Sequence, residues 1–245
     1  MRLLIDADLL AYTAAFSNEV AEEDEDGYWT WRCKLQDVKE SIFWGIHNAM
    51  EMTKSDRYFL CLSDTKNFRK SILKTYKEKR KKVKRPVVLK PIREWLISEL
   101  GAIVYPELEG DDVMGILHTD PNKTEDTLIY SKDKDMKTIQ GKLWSQGKIV
   151  EISKKEAEFN HYLQTLCGDQ TDGYVGIPGI GPAKAKKALS DNPHWNTVVS
   201  MYEANKLSEK DALIQARVAK ILDHSLWNKD KMTYRLWEPN RANEI

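Results

Sequence analysis

Leu3-Leu4-Ile5-Asp6-Ala7-Asp8 decides the fold: a short apolar run stops abruptly at carboxylates. Such a run reads as a buried strand that delivers acids at its C-terminal end. Three more stretches repeat the pattern. Tyr58-Phe59-Leu60-Cys61-Leu62 leads into Ser63-Asp64, and Ala102-Ile103-Val104-Tyr105 into Pro106-Glu107-Leu108-Glu109-Gly110-Asp111-Asp112. Thr127-Leu128-Ile129-Tyr130 leads into Ser131-Lys132-Asp133-Lys134-Asp135. Continuous apolar runs belong to parallel sheets covered on both faces, and the helical stretches 38–52 and 91–100 supply crossovers. The runs 142–145 and 148–152, joined at Gln146-Gly147, predict a hairpin at the sheet edge. Beyond about residue 153 the strand pattern ends, and 154–167, 182–189, 195–204 and 208–223 all read as helices. The expected class is α/β: a central, mostly parallel sheet flanked by helices over 1–153, then a helical region over 154–245.

In open α/β sheets, ligands bind outside the carboxyl ends of the strands. Asp6, Asp64, Glu109, Asp111, Asp112, Asp133 and Asp135 therefore converge on one crevice, and Asp169 and Asp172 join from the next segment. So many acids do not stay ionised together without cations, because close like charges raise one another's pKa. Oxygen donors without nearby His or Cys point to a hard ion, Mg²⁺ or Mn²⁺, and there are enough of them for two. Any single Asp after a strand is as readily a turn or helix cap, a reading that fits Asp8, Asp112 and Asp172.

Composition sets the limits. The chain has 245 residues, 41% hydrophobic and 31% charged, with 38 basic and 38 acidic side chains, enough apolar content for a core and no sign of global disorder. No window approaches the roughly 20 consecutive apolar residues of a membrane span. Met1 leads into Arg2-Leu3-Leu4-Ile5-Asp6, too short and too soon acidic to read as a signal peptide, so none is expected. Cys33, Cys61 and Cys167 form neither a disulfide framework nor a zinc motif, so a cytoplasmic location is expected.

The zero net charge hides segregation. Glu19 to Asp26 holds six acids and no base, whereas Lys66 to Lys90 holds twelve bases against the single acid Glu78. That basic density suits a polyphosphate partner; a solvated surface helix is the plainer alternative. Helical spacing places Lys77, Arg80 and Lys81 on one face, with Arg69 as a bidentate phosphate contact and Tyr76 as either a stacking platform or a half-buried packing residue. The turn Gly173 to Pro182 precedes Ala183-Lys184-Ala185-Lys186-Lys187. Gly176, Gly179 and Gly181 permit close backbone approach, and Pro182 opens a helix whose free amides, with Lys184, Lys186 and Lys187, make an anion site; a tight turn between packed helices with a solvated lysine face is the plainer alternative.

Taken together, L-L-I-D-A-D, C-L-S-D-T-K-N-F-R-K, Y-K-E-K-R-K-K-V-K-R-P, L-E-G-D-D-V-M-G, S-K-D-K-D-M-K-T-I and G-D-Q-T-D-G-Y-V-G-I-P-G-I-G occur in this order over residues 2–190. The chain thereby resembles the flap endonuclease/5′→3′ exonuclease superfamily, whose nuclease domain is related to the PIN fold, and most resembles its members from small tailed bacteriophages. The resemblance implies a two-ion site. Asp6, Asp64, Glu109 and Asp111 would hold the first ion and Asp133, Asp135 and Asp169 the second, with Asp112 and Asp172 as outer or shared ligands. It implies a helical arch carrying Tyr76, Lys77 and Arg80, with Arg69 just upstream contacting phosphate. It also implies a helix–three-turn–helix over about 169–190, gripping duplex DNA, in relatives often with K⁺. The expected substrate is DNA with a 5′ end, nick or flap, and RNA in RNA–DNA hybrids; the expected state is a monomer in the host cytoplasm. The segment 66–90 is short for an arch. Two other readings are a junction-binding scaffold without catalysis and a PIN-type ribonuclease.

Overall fold

The first strand is the axis of the molecule. In this computed structural model, which describes residues 1–190 and 192–240 (Lys81 in its backbone only), the chain opens with β1 (Arg2–Asp6), α1 (Ala7–Ser17), β2 (Val20–Glu23), β3 (Trp29–Arg32), α2 (Leu35–Thr53) and β4 (Arg57–Cys61). The middle adds α3 (Arg69–Ile72), a 3-10 turn at Glu78–Lys82, α4 (Leu89–Ser98), α5 (Gly110–Thr119), β5 (Thr127–Tyr130), a 3-10 turn at Lys134–Thr138, β6 (Gly141–Ser145) and β7 (Lys148–Ile152). The remainder is α6 (Lys154–Cys167), α7 (Pro182–Leu189), α8 (Trp195–Ala204), α9 (Glu209–Ala219) and the short pair β8 (Trp227–Asn228) and β9 (Thr233–Tyr234).

The main sheet has the order β4-β1-β5-β6-β7, with β1 parallel to β4 and β5, β5 parallel to β6, and only the edge pair β6–β7 antiparallel. Successive side chains of a strand face opposite ways, and that alternation builds two cores. Leu3, Ile5, Leu60 and Leu128 pack on one face with α1, α2 and α4. Leu4, Cys61 and Ile129 pack on the other with Val113 and Met114 of α5. Both faces being covered explains why the strands read as unbroken apolar runs. The later helices enclose a separate cluster around Tyr162, Trp195, Val198 and Tyr202. No helix among the described residues is long and apolar enough to cross a membrane.

Three local expectations are corrected. Ala102–Tyr105 is not a strand: only Ile103 bridges to Cys61, through Ile103 N–H to Leu60 O at 2.8 Å and Leu62 N–H to Ile103 O at 3.0 Å. Pro106, which has no N–H to donate, follows at once. The basic segment is not one helix. Lys77 takes the left-handed φ of 52° between the single turn of α3 and the 3-10 turn, so no continuous helical face carries Lys77 and Arg80 together. The last long helix ends at Ala219 rather than Asp223. Within the acidic run, Glu22 and Glu23 lie in the exposed β2–β3 hairpin, and Glu19 pairs with Lys84 and accepts the Val87 N–H at 2.7 Å.

Candidate active site

The carboxyl ends of β1, β4 and β5, the start of α5 and the basic segment line one crevice of about 820 Å³. Seven of the nine candidate acids reach it: Asp6, Asp64, Glu109, Asp111, Asp133, Asp135 and Asp172. Each is placed by its backbone. Asp6 ends β1 and caps α1, its Oδ1 accepting the Leu9 N–H at 3.0 Å, so Asp6 takes the capping role read for Asp8. Asp64 follows β4 and accepts N–H groups of Thr65 at 2.6 Å and Glu107 at 2.8 Å. Glu109 is the N-cap of α5, where a carboxylate is favoured by the helix dipole. Asp133 caps the 3-10 turn after β5 through the Asp135 N–H at 2.8 Å.

Burial and mutual repulsion leave this charge poorly compensated. Burial pushes the Asp6 carboxyl up to about 6, with Asp8 and Asp133 adding to it. Burial and then Asp133 push Asp135 up to about 7, and burial with Asp6 and Glu109 holds Asp111 well above the usual carboxylate range. Glu109 goes the other way: burial opposes ionisation, but Lys77 and Arg69 bring it down to about 2.

Lys77 Nζ donates to Glu109 at 2.5 Å and lies 3.4 Å from Asp172, and Arg80 donates to Asp172 at 2.5 Å. Lys134 pairs with Asp169 at 3.0 Å, so Asp169 stands beside the crevice rather than lining it. Among the described residues no three His, Cys, Asp or Glu side chains form a ready-made coordination group. The chemistry of the donors nevertheless fits a hard divalent ion, since the crevice offers carboxylate oxygens whose charge is costly to hold in its absence.

Three expected roles are overturned. Asp112 is fully buried, bonded at 2.7 Å by both Arg69 Nη1 and Nη2, and also accepts the N–H groups of Leu222 and Glu109, which leaves no oxygen for a metal. Four of the five N–H groups of Arg69 go to that pair and to the carbonyls of Val218 and Lys220, its Nη1 also lies 3.5 Å from Glu109, and the side chain is only 2% exposed, so it is not held out toward a phosphate. Tyr76 is 3% exposed and donates its hydroxyl to Glu109 at 2.8 Å, so its ring offers no platform for a base. The side chain of Lys81 lies outside the described part of the structure.

The glycine turn divides likewise. Gly179 and Gly181 are exposed with open space around them, and Gly181 caps α7 ahead of Pro182 at its first position. Lys184, Lys186 and Lys187 are exposed along that helix. Gly176 is buried, with φ of 58° and its N–H given to Gln215 at 3.0 Å, because it packs against Gly168 and Leu166. It shapes the turn and does not face a duplex. Sequence reading missed the partners of Asp112 and Arg69 at 218–222, since nothing local marks Val218, Lys220 or Leu222. It also gave no role to Ser63 and Arg93 and read Asp8 only as a helix cap, yet all three line the crevice.

Residues 1–162 match the family described as 5′-3′ exonuclease, N-terminal resolvase-like domain. The chain belongs to the 5′-3′ exonuclease family. It is 31% identical over 237 residues to the exodeoxyribonuclease of Enterobacteria phage T3, covering 92% of this chain and 78% of that one. It is 29% identical over 281 residues to the exonuclease of Escherichia phage T7, covering 97% and 93%. Among solved structures it shares its fold with the bacteriophage T5 D15 flap endonuclease in a pseudo-enzyme-product complex with DNA and metal ions, at TM-score 0.65 and 14% identity over 90% of this chain and 89% of that one. The catalytic core of Rad2 with a DNA substrate gives TM-score 0.52 at 13% identity, over 97% and 83%. As a member of this exonuclease family the chain is a nuclease, a hydrolase of the phosphodiester backbone.

Proposed function

We propose that the chain uses two Mg²⁺ or Mn²⁺ ions to hydrolyse phosphodiester bonds of double-stranded DNA at a 5′ end, nick or flap, and of RNA in RNA–DNA hybrids. The observation that carries this reading is the convergence of seven acids with Lys77 and Arg80 in a single crevice. The T5 flap endonuclease that shares the fold is seen with DNA and metal ions, which is in keeping with it. Asp6, Asp64, Glu109 and Asp111 would hold one ion, and Asp133, Asp135 and Asp172, with Asp169 beside them, the other. Bound there, the ions would supply an activated water at neutral pH and would stabilise charge on the leaving 3′-oxygen.

The chain's own groups do the rest. Lys77 and Arg80 offer positive charge to the scissile phosphate as negative charge builds on it. Tyr76, buried behind them, holds Glu109 in place through its hydroxyl. The duplex lies against the amides of Gly179 and Gly181 and against Lys184, Lys186 and Lys187, with K⁺ at the same turn. Contacts of this kind reach only the backbone, so sequence preference is slight. Residues 1–153, joined by Asp169 and Asp172, carry the chemistry and 154–245 grip the duplex, acting as a monomer in the host cytoplasm. The test is a cleavage assay on 5′-labelled duplex, nicked, flapped and RNA–DNA substrates with Mg²⁺, Mn²⁺ or chelator. Products must appear from the 5′ side with metal and vanish with chelator; binding without products under all conditions overturns the reading.

A further inference from the structure

Asp8, Ser63 and Arg93 connect four elements at the crevice wall. Asp8 stands in the first turn of α1, and its Oδ2 accepts the Ser63 N–H at 2.7 Å and the Ser63 hydroxyl at 2.6 Å. That hydroxyl oxygen in turn accepts the Gly110 N–H at 2.9 Å. Ser63 follows β4, and Gly110 opens α5 between Glu109 and Asp111. Arg93, on α4, donates to the other oxygen of Asp8 and, at 2.5 Å, to the Ser63 carbonyl. The fit around Gly110 is close: a Cβ there would stand 3.0 Å from the Cys61 carbonyl oxygen and 3.1 Å from Asp8 Oδ2.

We propose that Asp8, Ser63 and Arg93 are positioning residues that fix the spacing of Asp6, Asp64, Glu109 and Asp111 for divalent-ion binding. The proposal rests on the metal-dependent reading above. Those four acids lie at the ends of β1 and β4 and the start of α5, three elements whose carboxylates repel one another. Through Asp8 and Ser63 the three are joined by hydrogen bonds rather than left to packing alone. Mg²⁺ demands near-ideal octahedral geometry, so donors on separate elements must be held at fixed separations. Arg93 lets Asp8 serve as the acceptor without adding net negative charge beside Asp6. Groups that orient metal ligands in this way commonly change affinity by about 10–100-fold when removed.

Calorimetric titration of the full-length chain with Mn²⁺, without DNA, tests the proposal. Asp8→Ala and Ser63→Ala are each expected to weaken Mn²⁺ binding by about 10–100-fold. The double variant should be no weaker than the worse single, because both act on one link. Asp8→Asn, which keeps an acceptor for Ser63, should recover most of the affinity, and Arg93→Gln should fall between. Saturating Mn²⁺ should restore the cleavage rate of Ser63→Ala, a rescue that general structural damage does not allow. Wild-type affinity in both Asp8→Ala and Ser63→Ala, or additive losses in the double variant, overturns the proposal. Failure of the unmodified chain to bind Mn²⁺ is a separate outcome that defeats the metal-dependent reading itself. If Asp8→Ala does not fold, Ser63→Ala, which removes one oxygen atom, decides alone.

Discussion

The acid-bearing strand ends and the basic segment 66–90 face one another across the crevice, yet different forces hold them. Asp6 and Asp133 stand where a parallel sheet and its following turns put them, on backbone that pairs strand to strand. The basic segment has only two single turns of its own and is held from outside. Arg69 is locked to Asp112, the Lys77 N–H donates to the Asp172 carbonyl at 2.7 Å, and Thr75 donates to the Gly173 carbonyl at 2.8 Å. Gly173 has φ of 78°, and a Cβ there would meet the Thr75 carbonyl oxygen at 2.3 Å, so the glycine turn is shaped to receive this segment. One wall is therefore set by the sheet, while the other depends on individual side-chain pairs and on residues far along the chain.

The contrast between the walls is tested most forcefully at the centre of the crevice. Asp133→Asn removes charge from the sheet wall without touching its backbone, and cleavage is expected to fall by more than about 10³-fold while DNA binding and melting temperature persist. Lys77→Ala, on the opposite wall, should slow the single-turnover rate by about 10²–10³-fold, in line with loss of one preorganised positive group at the phosphate. An unchanged single-turnover rate would remove Lys77 from the reaction.

Arg69 separates the two kinds of wall by its readout. A phosphate-contacting arginine can be removed with no effect on folding, but Arg69 is buried with Asp112, and breaking such a pair from one side costs about 3–5 kcal/mol. Arg69→Ala should therefore lower the free energy of unfolding by that amount in denaturant titration, and Arg69→Lys should rescue little because the two-pronged geometry is lost. Full stability with weakened DNA binding would restore the phosphate role.

These outcomes also explain what was legible in the sequence. Leu3-Leu4-Ile5-Asp6 and Thr127-Leu128-Ile129-Tyr130 carry period and terminus together, so strand, sheet type and the placement of their acids could be read directly. Helices α6, α7 and α8 were equally plain from their apolar spacing and, in α7, Pro182. Arg69 is misjudged, and Tyr76 and Asp112 stay open between two readings, because exposure is not a local property. A tyrosine among lysines reads as solvent-facing unless one knows that α9 and the segment after it cover it, and Val218 and Ala219 lie beside Tyr76 in its cluster. The cap reading of Asp112 holds, since it accepts the Glu109 N–H at 3.0 Å, but nothing local marks its burial against Arg69. Only the turn of α5, which sends Asp111 toward the crevice and Asp112 toward Arg69, tells the two apart.

Metal removal probes the electrostatics of the sheet wall. Asp6 and Asp135 titrate at about 6 and about 7 in the fold against an ordinary value of 3.8. A raised carboxyl contributes stability that is complete below about pH 4 and lost as pH rises through 6 to 7. The metal-free fold thus loses this contribution over that window, whereas divalent ions bind the deprotonated form. The rise in melting temperature produced by Mg²⁺ should be small at pH 5 and grow toward pH 8, as read by calorimetric melts. A metal effect of equal size at both pH values means these carboxyls do not face the ion. In the acid direction, His118 and His161 are buried with pKa values of about 4 and about 3. Their lowered values contribute stability above about 6.5 that is lost as pH falls toward those figures, so acid should destabilise the protein with or without Mg²⁺.

The smallest expected effect lies farthest from the chemistry. Lys184, Lys186 and Lys187 sit on an exposed helix, so their contribution to duplex binding is long-range and screened. Each lysine that no longer neutralises a phosphate should reduce the slope of log affinity against log salt by about 0.9 on a duplex. The triple change of these lysines to Ala should thus flatten that slope by at most about 3 and weaken binding modestly at physiological salt. The single-turnover rate at saturating DNA should stay at the wild-type value, because no group at the reacting phosphate has been altered. An unchanged slope would place the duplex elsewhere on the protein, and the exposed amides of Gly179 and Gly181 would lose their reason to face it. A slower chemical step would instead mean that the glycine turn reaches Lys77 through the Thr75–Gly173 hydrogen bond, making the two walls one mechanical unit.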